Sequence, residues 1–116
     1  MKRFLLLNSL LLLIFVFGTV ATDAQPKKIK TVRINIREEG YAPASVSVRK
    51  GQTVRLVFYR ANSYNCGDEV VFPALNIKRK IPVRTPVSVT FTPRRAGEIS
   101  FACGMDMYRG KILVTN

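Results

Sequence analysis

The residues with a chemistry of their own stand near the C-terminus, in Cys103-Gly104-Met105-Asp106-Met107, where a cysteine and two methionines recur at every second position. Gly104, Asp106 and Gly110 mark the stretch as a tight polar turn, a poor place for core filler. One other cysteine exists, Cys66; histidine is absent, and the only further methionine is Met1. If the sulfurs of Cys66, Cys103, Met105 and Met107 converge, they make a soft donor set. Thiolate and thioether ligands without imidazole favour Cu(I) over harder divalent ions. Zinc ordinarily takes four Cys or His ligands, and an iron–sulfur cluster needs more cysteines than this chain has. A blue-copper centre needs two histidines beside its cysteine.

Three other readings stand beside metal binding. Two cysteines in an exported domain commonly form a disulfide. Methionines commonly fill gaps in a core. Thiol–disulfide exchange is the third, although no Cys-x-x-Cys motif is present. Residue spacing alone leaves these open.

The elements that must position the sulfurs read as strands. Val32, Ile34 and Ile36 alternate with polar residues, as do Val46 with Val48, Val54 with Leu56 and Phe58, and Val87 with Val89 and Phe91. Short apolar runs at 69–72 and 75–77, at 98–102 and at 111–115 add further strands, and 78–86, with its prolines and basic residues, reads as irregular. Tyr41-Ala42-Pro43 reads as an extended corner. The close succession of the second and third strands implies a hairpin or a corner between sheets. No helical period follows residue 24. The pattern predicts an all-β chain, an antiparallel Greek-key β-sandwich of about seven or eight strands. Cys66 would follow the third strand and Cys103 the penultimate one, which allows both to lie at one pole.

The start of the chain reads as an export segment: Met1-Lys2-Arg3 is basic and Phe4 to Val20 almost wholly apolar. Cleavage before Gln25 and retention of residues 4–20 as a membrane anchor are both compatible with that length. The expected division is 1–24 signal or anchor, 25–30 linker and 31–116 domain, with the domain periplasmic or at the cell surface. Setting aside Lys2, Arg3 and Asp23 from the 19 basic and 7 acidic residues leaves 17 and 6. Such an excess of cations favours an anionic lipid surface, an anionic polymer or an acidic partner; export argues against nucleic acid. The densest clusters are Lys78-Arg79-Lys80 with Arg84, and Arg94-Arg95.

Longer stretches carry a resemblance. Gly40-Tyr41-Ala42-Pro43, Val46-x-Val48-x-Lys50-Gly51-Gln52-Thr53-Val54-Arg55-Leu56, Cys66-Gly67-Asp68-Glu69-Val70-Val71-Phe72-Pro73, Phe91-Thr92-Pro93 and Phe101-Ala102-Cys103-Gly104-Met105-Asp106-Met107-Tyr108-x-Gly110 resemble the cupredoxin-like family. More narrowly, the chain looks like the branch whose site has two cysteines and two methionines in place of blue-copper ligands. That resemblance implies a non-enzymatic protein holding one or two Cu(I) ions, with Cys66 at the place of an upstream histidine and Cys103 at that of the copper cysteine. It implies a chaperone, buffer or resistance factor working with a copper transporter or another copper-accepting protein. The alternatives are a disulfide-closed β-sandwich that binds through its basic surface, and an electron-transfer cupredoxin.

Overall fold

The computed structural model describes residues 18–19, 28–63 and 66–116. The reading of 1–24 as an export segment lies outside them but for 18–19; of the expected linker 25–30, residues 28–30 are described, and Lys30 is already the first residue of β1. Nine strands follow: β1 (Lys30–Arg37), β2 (Gly40–Ala42), β3 (Ser45–Arg49), β4 (Val54–Arg60), β5 (Glu69–Phe72), β6 (Ile77–Lys80), β7 (Val87–Phe91), β8 (Gly97–Cys103) and β9 (Arg109–Thr115). They form a four-stranded sheet in the order β2-β1-β4-β7 and a five-stranded sheet in the order β3-β9-β8-β5-β6. The all-β fold is as the alternation predicts. The sheets are mixed, however, because β1 pairs with β4 and β3 with β9 in parallel. Alternation reports which face of a strand is dry, and is silent on the direction of its neighbour.

The turn at Lys50-Gly51-Gln52 is a corner between sheets, since β3 and β4 belong to different ones. Residues 78–80, expected to be irregular, instead extend β6, paired antiparallel with β5 and exposed at all three side chains. An edge strand with charged side chains needs no apolar face and blocks edge-to-edge association. Pro73–Leu75 forms a single 3-10 turn ahead of it, so Leu75, which the sequence pattern reads as extended with 76–77, belongs to that turn.

The inward residues of both sheets make one core. Ile34, Val54, Leu56, Phe58, Val70 and Phe72 are fully buried. Phe101 stands at its centre, 5.6 Å from Phe58 in edge-to-face contact and 5.1 Å from Phe72. Each such side chain contributes about 2–3 kcal/mol of burial, and the crossed rings fix the spacing of the sheets. This core matters to the sulfurs because β8 runs from Phe101 directly into Cys103.

The parallel pairing of β1 with β4 and the antiparallel pairing of β8 with β5 bring particular ends together. The ends of β1, β4 and β8 and the starts of β5 and β9 share one pole. The starts of β1, β4 and β8 and the end of β9 share the other.

Candidate functional site

Cys103 is the last residue of β8, with Cα partner Val70 on β5. Cys66 ends the loop that leaves β4 and is followed by Gly67, whose φ of +114° suits glycine. A Cβ at Gly67 would stand 2.5 Å from Ile36 Cγ2, so the loop lies directly on the end of β1. That close approach places Cys66 against Cys103. Their Cα atoms are 6.1 Å apart and their sulfurs are joined as a disulfide, both residues being buried. This is the pairing that residue spacing left open. In this form neither sulfur is a thiolate.

The loop from Cys103 to Tyr108 closes around the Cys103 sulfur. Asp106 N–H donates to Cys103 O at 2.9 Å, and Cys103 N–H donates to Tyr108 O at 3.0 Å. Asp106 takes the left-handed conformation, φ +59°, which acidic and amide residues tolerate better than most. Its carboxylate is 2.6 Å from Arg109. The result is that Met107 N–H and Tyr108 N–H both point at Cys103 Sγ, each at 3.3 Å. N–H dipoles aimed at a sulfur favour its anionic form, so the loop is built to accept a thiolate as well as a disulfide sulfur.

Met105 and Met107 are 71% and 66% exposed, the most exposed large apolar side chains among the described residues. The cysteines therefore meet inside and the methionines stand outside them on the same loop. The structure brings Cys66 and Cys103 together and puts Met105 and Met107 within a few residues of that junction, with their thioethers in solvent.

Several residues that residue spacing did not single out hold this arrangement. Tyr108 donates its hydroxyl to Glu38 O at 2.6 Å and packs edge-on against Tyr41, tying the loop to the β1–β2 turn. A Cβ at Gly104 would meet Glu69 Oε1 at 2.8 Å, and one at Gly110 would enter the Phe101 ring. Tyr41 is buried and its hydroxyl has no hydrogen-bond partner; burial, with Tyr108 beside it, pushes its pKa well above the ordinary phenol range. Tyr108, Gly104 and Gly110 all lie inside the quoted sulfur motif, so the motif contained them without revealing their roles. Among the described residues, no group of three His, Cys, Asp or Glu side chains could hold a metal ion.

Nearly the whole chain, residues 10–114, matches the cupredoxin-like domain family, and the chain belongs to that family. Among solved structures it is similar to the metal-binding domain of the Cu(I)-exporting P-type ATPase of Streptococcus pneumoniae D39, solved with Cu(I). The identity is 33% over 80% of this chain and 92% of that one, with a TM-score of 0.73. A copper-binding protein solved in its apo form is 35% identical over 78% of this chain and 92% of that chain, TM-score 0.71. Auracyanin A of Chloroflexus aurantiacus, a blue copper protein, shares the fold at 19% identity over 76% of this chain and all of that one, TM-score 0.60. None of the curated proteins matches the sequence.

Proposed function

We propose that this protein is a non-enzymatic, extracytoplasmic Cu(I)-binding protein, a chaperone or buffer that passes copper to or from a transporter. The observation that carries the reading is the juxtaposition of Cys66 with Cys103 beneath a loop bearing Met105 and Met107. The solved domains at 33% and 35% identity, one described with Cu(I) and the other as copper-binding, support it. Two electrons and two protons from a thiol reductant convert the disulfide to two thiols; cuprous ion then displaces the protons. Cys66 and Cys103 supply thiolate ligands, Met105 and Met107 thioethers. Two N–H donors steady the charge on Cys103 Sγ. Exposed thioethers give copper an entrance and an exit that buried cysteines alone would not, and the count is one or two ions. Without histidine the site holds the reduced ion and does not cycle it.

The test is a titration of reduced protein with Cu(I) against a moderate-affinity chelator. Uptake of one or two equivalents, abolished in Cys66→Ser/Cys103→Ser and absent from the oxidised protein, is expected. Uptake unchanged by the double substitution would overturn the reading. The disulfide favours a second reading, a closed sandwich that binds through its basic surface. Free-thiol counts on protein isolated under reducing and non-reducing conditions separate the two: a bond that resists mild reductant in the folded state supports the second.

A further inference from the structure

The charges are sorted between the poles. At the sulfur pole Glu38, Glu39, Asp68, Glu69 and Asp106 are interleaved with Arg37, Arg60, Lys78, Arg79, Lys80, Arg84 and Arg109. At the opposite pole stand Lys28, Lys30, Arg49, Lys50, Arg94 and Arg95, with Glu98 the acidic side chain nearest to them in the strands described. Backbone bonds join the three segments that carry these cations: Lys30 N–H to Thr53 O at 2.9 Å, Lys50 N–H to Thr115 O at 2.7 Å, and Gly51 N–H to Pro93 O at 2.7 Å. The Thr53 and Thr92 hydroxyls bond at 2.8 Å. Lys30 spends part of its charge on Ser47 O, and no ion pair of the described residues involves the other cations. Ile29, 44% exposed, stands between Lys28 and Lys30.

We propose that this basic pole rests on an anionic phospholipid surface and holds the sulfur pole pointing away from the membrane. The inference rests on reading residues 4–20 as a membrane segment. Covalent geometry then lets residues 21–29 span no more than about 30 Å before the chain enters β1 at this pole. The tether thus arrives where the cations are, and an exposed isoleucine flanked by lysines suits the boundary between headgroups and acyl chains. A soluble acidic protein would account for the cations, but not for their coincidence with the tether and Ile29. Because β1, eight residues long, spans about 26 Å, the loop of Met105 and Met107 is carried clear of the lipid and open to a partner.

The chain has no tryptophan, so one can be introduced as an energy-transfer donor. The full-length protein is reconstituted into vesicles carrying a dansyl-labelled headgroup, either neutral or with about 30% phosphatidylglycerol, with Ala96→Trp reporting the basic pole and Ala61→Trp the sulfur pole. Transfer from Ala96→Trp should be roughly threefold greater on anionic than on neutral vesicles, and that gain should vanish in high salt. Adding Lys50→Glu, Arg94→Glu and Arg95→Glu should also remove it; circular dichroism checks that this variant folds. Transfer from Ala61→Trp should stay low throughout. Transfer insensitive to lipid charge, or equal from both poles, would overturn the proposal, and so would a basic pole that leaves the vesicle for a soluble acidic protein. No copper is present in this experiment, so its failure leaves the cuprous reading untouched.

Discussion

The sulfur pole and the basic pole are built on opposite terms. At the sulfur pole, backbone is pressed against side chain: Gly67 on Ile36, Gly104 on Glu69, Gly110 on the Phe101 ring. A disulfide and a clasped loop lock the pieces together. At the basic pole the glycines are free. Nothing lies within 4 Å of a Cβ built on Gly51 or Gly97, although both have positive φ. There the backbone is held by a few hydrogen bonds between turns, and the surface is left to charge. One end is made to hold a geometry, the other to present a field, and substitutions should separate them.

The largest effect belongs to the disulfide. Closing a loop of 37 residues restricts the unfolded chain by an amount equivalent to about 4 kcal/mol. Urea unfolding of Cys66→Ser/Cys103→Ser against the oxidised wild type should show a loss of that order. The triple substitution of Lys50, Arg94 and Arg95 to glutamate at the other pole should stay within about 0.5 kcal/mol. Should the cysteine variant lose less than about 1 kcal/mol, the clasped loop and not the bond would be holding the sulfur pole.

Glycine substitutions sharpen the contrast without touching sulfur. Gly67→Ala adds a methyl in contact with Ile36 at a φ that L-residues resist, and should cost about 3 kcal/mol. Gly51→Ala suffers only the conformational cost, about 1 kcal/mol. Equal losses in thermal unfolding would mean that the close fit at Gly67 relaxes cheaply.

Much of this was legible in the sequence, and for identifiable reasons. Strands such as Ser45–Arg49 and Val87–Phe91 show in alternation because each has one dry face. The sulfur motif shows because soft ligands are few and its spacing is unusual. What was hidden depends on long-range contacts. Nothing local says that Lys78–Lys80 pairs with β5, or that β1 runs parallel to β4. The clasp of Tyr108 on Glu38 crosses 70 residues, and the charge sorting appears only when turns from distant parts of the chain meet. Whether Cys66 and Cys103 bind each other or a metal depends on electrons supplied from outside the chain, which no residue pattern encodes.

The methionines separate copper chemistry from stability at the same pole. Both side chains are mostly in solvent, so Met105→Leu and Met107→Leu should leave urea unfolding within about 0.5 kcal/mol of the wild type. Each removes one thioether and should weaken Cu(I) retention by the reduced protein roughly tenfold in chelator competition. Leucine keeps the bulk and the apolar character, so loss of retention with intact folding would assign the effect to the sulfur atom. Unchanged retention in both would reduce the donor set to the two cysteines.

The smallest effect concerns Tyr41, the buried phenol beneath the loop. Its hydroxyl has no partner, so Tyr41→Phe removes an unsatisfied group and should leave stability at pH 7 unchanged or raise it by about 1 kcal/mol. Alkali exposes the difference. In the unfolded chain the phenol ionises near pH 10, while burial and the neighbouring Tyr108 keep it protonated in the folded state. Above that pH the unfolded state binds fewer protons than the folded one, so stability falls as pH rises, by up to about 1.4 kcal/mol per unit from this group. Tyr41→Phe lacks this loss, so the two unfolding curves should run parallel below pH 9 and diverge above it in favour of the variant. Parallel curves up to pH 11 would mean that solvent reaches Tyr41 in the folded protein and that the packing beneath the sulfur loop is looser than its ring contacts imply.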